Sequence, residues 1–215
     1  NTIISQTLGN IDPGLAKFAG AAVFPVGLIL VVVAGAELFT GNNLMTLAVM
    51  NKKITLSQMF RNWGVVWVAN LVGSVFLALI VFYGGVLGGD AGIKAIAIAE
   101  SKVSLDIMAL IFRGIMCNIL VVLAVWIAAS AQDVISKLFA CWFPIMLFVL
   151  CGFEHSVANM FFIPMGMLLG AKVTMAALIK NLVFVTIGNI LGGAIIIPFL
   201  YQNSYLKEEK QVSKQ

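Results

Sequence analysis

Five long apolar stretches dominate the chain. Residues 18–51 carry one charged side chain, Glu37, and residues 63–87 carry none. Residues 107–132 carry only Arg113, residues 138–171 only Glu154, with His155 beside it, and residues 181–206 none. The three shorter stretches each suit one membrane-spanning helix, which needs about 20 apolar residues. The other two are 34 residues long. As unbroken helices they would run about 51 Å at ~1.5 Å per residue, against a hydrocarbon core of about 30 Å. Helix-breaking residues sit inside both: Gly35, Gly41, Asn42 and Asn43 in the first, Gly152 in the second. The pattern predicts two interrupted helices, broken near 40–43 and 151–154. Such breaks survive in a membrane only where protein or a water-filled cavity satisfies the freed backbone groups.

The two broken stretches repeat one another. Gly35, Glu37 and Asn42 recur as Gly152, Glu154 and Asn159, an offset of 117. Asn62, Asn70 and Gly73 recur as Asn181, Asn189 and Gly192, an offset of 119. The second half has three apolar stretches and the first only two. The missing one maps before about residue 15, where the chain is polar. The sequence is therefore expected to start after the first spanning helix of a longer protein. An odd number of crossings per half gives the halves opposite orientations, with the broken helices meeting near the midplane. The expected fold is an all-α integral membrane protein built as an inverted repeat. It forms one domain over 1–215: a first half over about 15–87, a second over about 107–206, and a polar tail at 207–215.

Composition agrees with a membrane protein. Hydrophobic residues make up 61% of the 215, charged residues only 10%, and mean hydropathy is +1.06. A soluble domain carries roughly 25% charged residues. The net charge of +4 comes from residues between apolar stretches or in the tail, which excludes a nucleic-acid patch. Lys52, Lys53 and Arg61, with the tail lysines, favour placing loop 52–61 and the C-terminus inside the cell. Residues 88–106 read as a loop. Cys117, Cys141 and Cys151 read as small buried hydrophobes, and one histidine excludes a zinc site. No cofactor motif is present.

His155 is the candidate for chemistry. It lies in the second break, its counterpart in the first half is Leu38, and an imidazole exchanges protons near neutral pH. Glu37 and Glu154 occur in both halves. They read as structural braces that accept hydrogen bonds from freed backbone groups or from the repeated asparagines. Asn62, Asn70, Asn118, Asn159, Asn181 and Asn189 read as interhelical glue, and Gly188-x-x-x-Gly192 and Gly73-Ser74 as close helix packing. Arg113 could snorkel, pair with Asp106 or face a vestibule.

Four runs carry a resemblance. They are Gly35-Ala36-Glu37-Leu38-Phe39-Thr40-Gly41-Asn42-Asn43, Asn62-Trp63 with Asn70-Leu71-Val72-Gly73, Gly152-Phe153-Glu154-His155-Ser156-Val157-Ala158-Asn159-Met160-Phe161, and Ile187-Gly188-Asn189-Ile190-Leu191-Gly192-Gly193. Together they resemble the formate/nitrite transporter family, which includes formate, nitrite and hydrosulfide channels. The resemblance implies an aquaporin-like protomer of a homopentamer in the cell membrane, with one pore per protomer for a small monovalent anion or its conjugate acid. It places His155 mid-pore, facing Thr40 on the loop that interrupts the first broken helix. It assigns apolar constrictions to Phe24, Leu28, Leu38 and Phe148, and a vestibule lysine to Lys102. It puts Asn118 and Asn159 close to the histidine.

Two rivals fit less well. An aquaporin-like channel for neutral solutes would want two Asn-Pro-Ala motifs, which are absent. A membrane enzyme using Ser156 with His155 would need the two side chains bonded, and sequence neighbours on a helix point apart.

Overall fold

The computed structural model describes residues 1–9 and 11–206. It is all helical: α1 (Thr2–Gly9), α2 (Pro13–Val23), α3 (Val26–Ala34), α4 (Phe39–Asn42), α5 (Met45–Met50), α6 (Leu56–Tyr83), α7 (Gly89–Ser104), α8 (Ile107–Ser130), α9 (Val134–Cys151), α10 (Ser156–Leu168) and α11 (Met175–Ile190). A π-helical turn over Leu191–Ile196 then leads into α12 (Ile197–Tyr201). Five segments are long and apolar enough to cross a membrane: Pro13–Ala34, Leu56–Tyr83, Ile107–Ser130, Val134–Cys151 and Met175–Tyr205. The first joins α2 and α3 through Pro25. The long α6 leaves Val65, Val68, Val72 and Phe76 exposed on the protomer, a surface for lipid or neighbouring protein rather than water. The tail over 207–215 lies outside the described residues.

Local chemistry sets the helix ends. Thr55 and Gln58 form a reciprocal capping box at the start of α6. Asp106, Asp133 and Thr174 cap α8, α9 and α11 by accepting backbone N–H groups. Asp106 is therefore a cap and not the partner of Arg113. Residues 88–106, read as a loop, instead hold α7, which packs on α10 and carries Lys102 in its last turn.

Both long stretches are interrupted. α3 ends at Gly35 and α9 at Gly152, with φ of 79° and 72°, the left-handed conformation that glycine adopts without penalty. Ala36 N–H then bonds Val31 O, and Phe153 N–H bonds Phe148 O, at 3.1 and 3.0 Å. The second gap falls at 152–155, one residue beyond expectation. The first falls at 35–38, and the chain is interrupted again at 43–44 between α4 and α5, so of the expected 40–43 only Asn43 is non-helical. Gly41 and Asn42 are helical, because the left-handed turn at Gly35 has already stopped the chain and the Asn42 side chain is engaged elsewhere.

The freed backbone groups are satisfied twice over by the same device. Asn70 accepts from Phe39 N–H at 2.9 Å and donates to Glu37 O at 3.0 Å. Asn189 accepts from Ser156 N–H at 2.9 Å and donates to Glu154 O at 3.0 Å, and also to Gly114 O at 2.9 Å. The carboxylates follow suit. Glu37 accepts from Asn42, which also donates to Asn62 at 2.9 Å. Glu154 accepts from Asn159 at 2.6 Å, which also donates to Asn181 at 2.8 Å.

The glycine readings divide. At Gly188 and Gly192 an added Cβ would collide with the carbonyls of Ile111 and Ile115, so α11 lies directly on α8. A Cβ added at Gly73 would meet nothing within 4 Å among the described residues, so this glycine makes no close helix contact there. Cys117 and Cys141 are buried, but Cys151 is exposed at the end of α9, against expectation. Its apolar neighbours Phe148, Val149 and Phe153 pack on the core while Cys151 itself does not, so hydrophobicity alone did not imply burial within the protomer.

The two clamps differ in surroundings. Asn189 is fully buried, whereas Asn70 is half-buried and water can replace part of what it supplies. Each buried group left unpaired costs about 1–3 kcal/mol. Asn189→Ala should therefore lower the thermal midpoint of the purified protein well beyond Asn70→Ala. Equal losses in parallel melts would show that the clamps do not carry the breaks.

Candidate functional site

The clamps have a geometric consequence. Each asparagine grips a carbonyl and an N–H two residues apart, holding the residue between them extended. Those residues are Leu38 (φ −125°, ψ 119°) and His155 (φ −115°, ψ 116°). The position that the repeat pairs is thus the one each break presents: apolar in the first half, imidazole in the second.

His155 is held at both ring nitrogens. Nδ1 accepts from Ala158 N–H at 3.1 Å, capping α10. A nitrogen that accepts carries no proton, so the neutral ring bears its hydrogen on Nε2. Nε2 lies 2.7 Å from Thr40 Oγ1, to which it donates, and the Thr40 hydroxyl keeps its own hydrogen to donate. Thr40 is fully buried, in α4 and not on the interrupting loop, because α4 begins one residue earlier. Asn118 steadies that helix. Its amide donates to Asn43 at 2.8 Å and to Asn189 O at 2.8 Å, where α11 widens into the π turn.

Two cavities meet at the histidine. One, of ≈ 660 Å³, is lined by Phe24, Leu28, Leu38, Phe148 and His155 among others. The second, of ≈ 430 Å³, shares Phe24, Phe148 and His155 with the first and also takes in Lys102, Lys94, Lys17 and Arg113. Phe24 and Phe148 meet edge to face at 5.7 Å, and Phe148 stacks on the His155 ring at 5.8 Å. Leu28 and Phe148 belong to one apolar cluster, with Phe24 and Leu38 packed against it. The structure therefore brings together all four residues named as constrictions, with His155 beside them.

Sequence reasoning missed Phe162. It lines both cavities, stacks on Phe24 at 6.3 Å and lies 5.8 Å under the Lys102 ammonium. The signal was available: 155, 158 and 162 share a helical face, and Ala158 lines both cavities too. Asn118, Asn159 and Thr40 line neither cavity. They sit behind the wall and act on it through hydrogen bonds. Lys102 reaches Glu154 at 3.0 and 3.1 Å, the one ion pair among the described residues. Arg113 lines the second cavity and makes no ion pair among the described residues.

The arrangement offers an imidazole beside an aromatic constriction, its Nε2–H engaged by Thr40, with cations lining the second cavity. It offers no nucleophile. The Ser156 hydroxyl is buried and bonds neither His155 nor any other group among the described residues. Nor do three of His, Cys, Asp and Glu come together there as a metal site would require.

The formate/nitrite transporter family profile matches residues 1–202. A probable formate transporter of Methanothermobacter thermautotrophicus is 47% identical over 212 residues, covering 91% of this chain and 77% of that protein. Among solved structures, an FNT family ion channel superposes with a TM-score of 0.86 at 36% identity, covering 94% of this chain and 83% of the other. A pentameric formate channel with formate bound superposes with a TM-score of 0.83 at 34% identity, covering 95% and 89%. With its broken helices, its buried histidine and these likenesses, the chain belongs to the formate/nitrite transporter family, as a multi-pass membrane transport protein and not an enzyme.

Proposed function

We propose that this chain is one protomer of a homopentameric channel, with a pore of its own for formate, nitrite or a similar small monovalent anion, or the conjugate acid. Its halves form an aquaporin-like inverted repeat in the cell membrane. The observation that carries the reading is the meeting of two cavities at Phe24, Phe148 and His155. A pentameric formate channel of similar fold supports the assembly and the substrate.

The physics favours a weak acid. Moving a bare ion into a medium of low dielectric costs on the order of 20 kcal/mol before relaxation. A constriction of Phe24, Leu28, Leu38 and Phe148 is therefore a poor path for a free ion. A neutral acid, or an anion that exchanges its hydration for hydrogen bonds, pays far less. The anion collects in the cavity beside Lys102. An arriving anion competes with Thr40 for the His155 Nε2–H as it crosses the rings. Asn118 and Asn159 hold this pair in place, and Glu37 and Glu154 brace the two breaks. No cofactor is involved; the partners are the anion and the bilayer.

Stopped-flow flux into liposomes for formate, nitrite and hydrosulfide tests the reading. Protein that assembles but speeds none of them would overturn it. Two variants test the parts. His155→Phe keeps the bulk and removes the donor, so anion flux should fall sharply or its pH dependence should change. Superimposable flux–pH curves at equal density would reduce His155 to a core residue. Phe148→Ala should raise flux, since the dry stretch shortens and water can accompany the solute. Unchanged flux in the assembled variant would place the barrier elsewhere.

A further inference from the structure

We infer that Arg113 forms a second anion site, in front of the constriction, which selects planar anions bearing two oxygens over spherical or single-atom ones. The inference rests on the channel reading and assigns the substrate class admitted at its cationic mouth.

The site stands on geometry. Glu154 N–H bonds Arg113 O at 3.3 Å, so the α8 backbone at Arg113 is fixed against the second break. Arg113 lines the ≈ 430 Å³ cavity that also takes in His155 and the Phe24, Phe148 and Phe162 rings. An anion in this cavity is therefore already at the threshold of the rings. Glu154 is the only carboxylate among its lining residues, and Lys102 and Asn159 already occupy it. Arg113, Lys94 and Lys17 make no ion pair among the described residues, so their charge is available to a solute.

The choice among anions follows from the cation. An ammonium is a point charge that favours any small anion. A guanidinium is a planar fork whose paired N–H groups match two oxygens held in one plane. Formate and nitrite have that shape; hydrosulfide and chloride accept at one atom. Lys94 and Lys17 raise the concentration of all of them, and Arg113 distinguishes between them.

Arg113→Lys keeps the charge and removes the fork, so it separates the two contributions. Half-saturating concentrations for flux should rise about fivefold for formate and nitrite, the loss of one good hydrogen bond, and stay within about twofold for hydrosulfide. A common shift for all three, or none, overturns the inference. Thermal-shift titration of the purified wild type gives a second reading that needs neither flux nor the variant. Formate and nitrite should act at concentrations at least about fivefold below those of hydrosulfide and chloride, and equal ranking overturns the site. A wild type that binds in this order but conducts nothing would sink the channel reading and leave the site standing.

Discussion

A polypeptide that stops being helical inside a membrane-spanning stretch frees N–H and C=O groups that must find new partners, and the geometry of both breaks depends on how that demand is met. Here one asparagine amide serves each break. Its oxygen takes an N–H and its nitrogen gives to a carbonyl two residues earlier, which matches the polarity of an extended backbone edge. The residue in between is freed from helical packing and turned toward the centre. The same amide that satisfies the backbone therefore also determines which side chain the break presents.

The clamp occurs twice, but the imidazole only once. The first half presents Leu38, and its brace Glu37 remains exposed on the protomer. The second presents His155, and its brace Glu154 is buried and paired with Lys102. Burying a lone carboxylate would be costly, and pairing it with a lysine and an asparagine offsets that cost. The pair also spends the one negative charge lining the cationic cavity, which leaves its field positive. The two halves meet in the contact between Thr40 and His155, supported from behind by the Asn43–Asn118–Asn189 chain.

Much of this was legible in the sequence because breaks need particular residues. Glycine before a carboxylate, with asparagines at matching offsets, has few other physical meanings inside an apolar run, and the uniqueness of His155 stood out against that repeat. What could not be read was which of several breakers would act. Gly35 and Gly41 look alike in sequence, and only the left-handed turn at Gly35 shows where the helix stopped. α7 went unseen because its composition is that of a polar connection; its packing on α10 is tertiary. Phe162 was hidden among fifteen phenylalanines, and only its phase relative to His155 marks it.

The π turn at Leu191–Ile196 has a topological meaning of its own. A turn of this kind is equivalent to one residue inserted into an α-helix, and one residue advances everything downstream by about 100° around the axis. Beyond it, Gln202 is buried and accepts from Asn51 at 2.7 Å, tying the end of the last span to the end of the first broken helix. The widened turn thus works as a phase shifter. It lets α11 satisfy Asn118 and the glycine seam upstream while α12 and the residues after it satisfy a different angular requirement downstream.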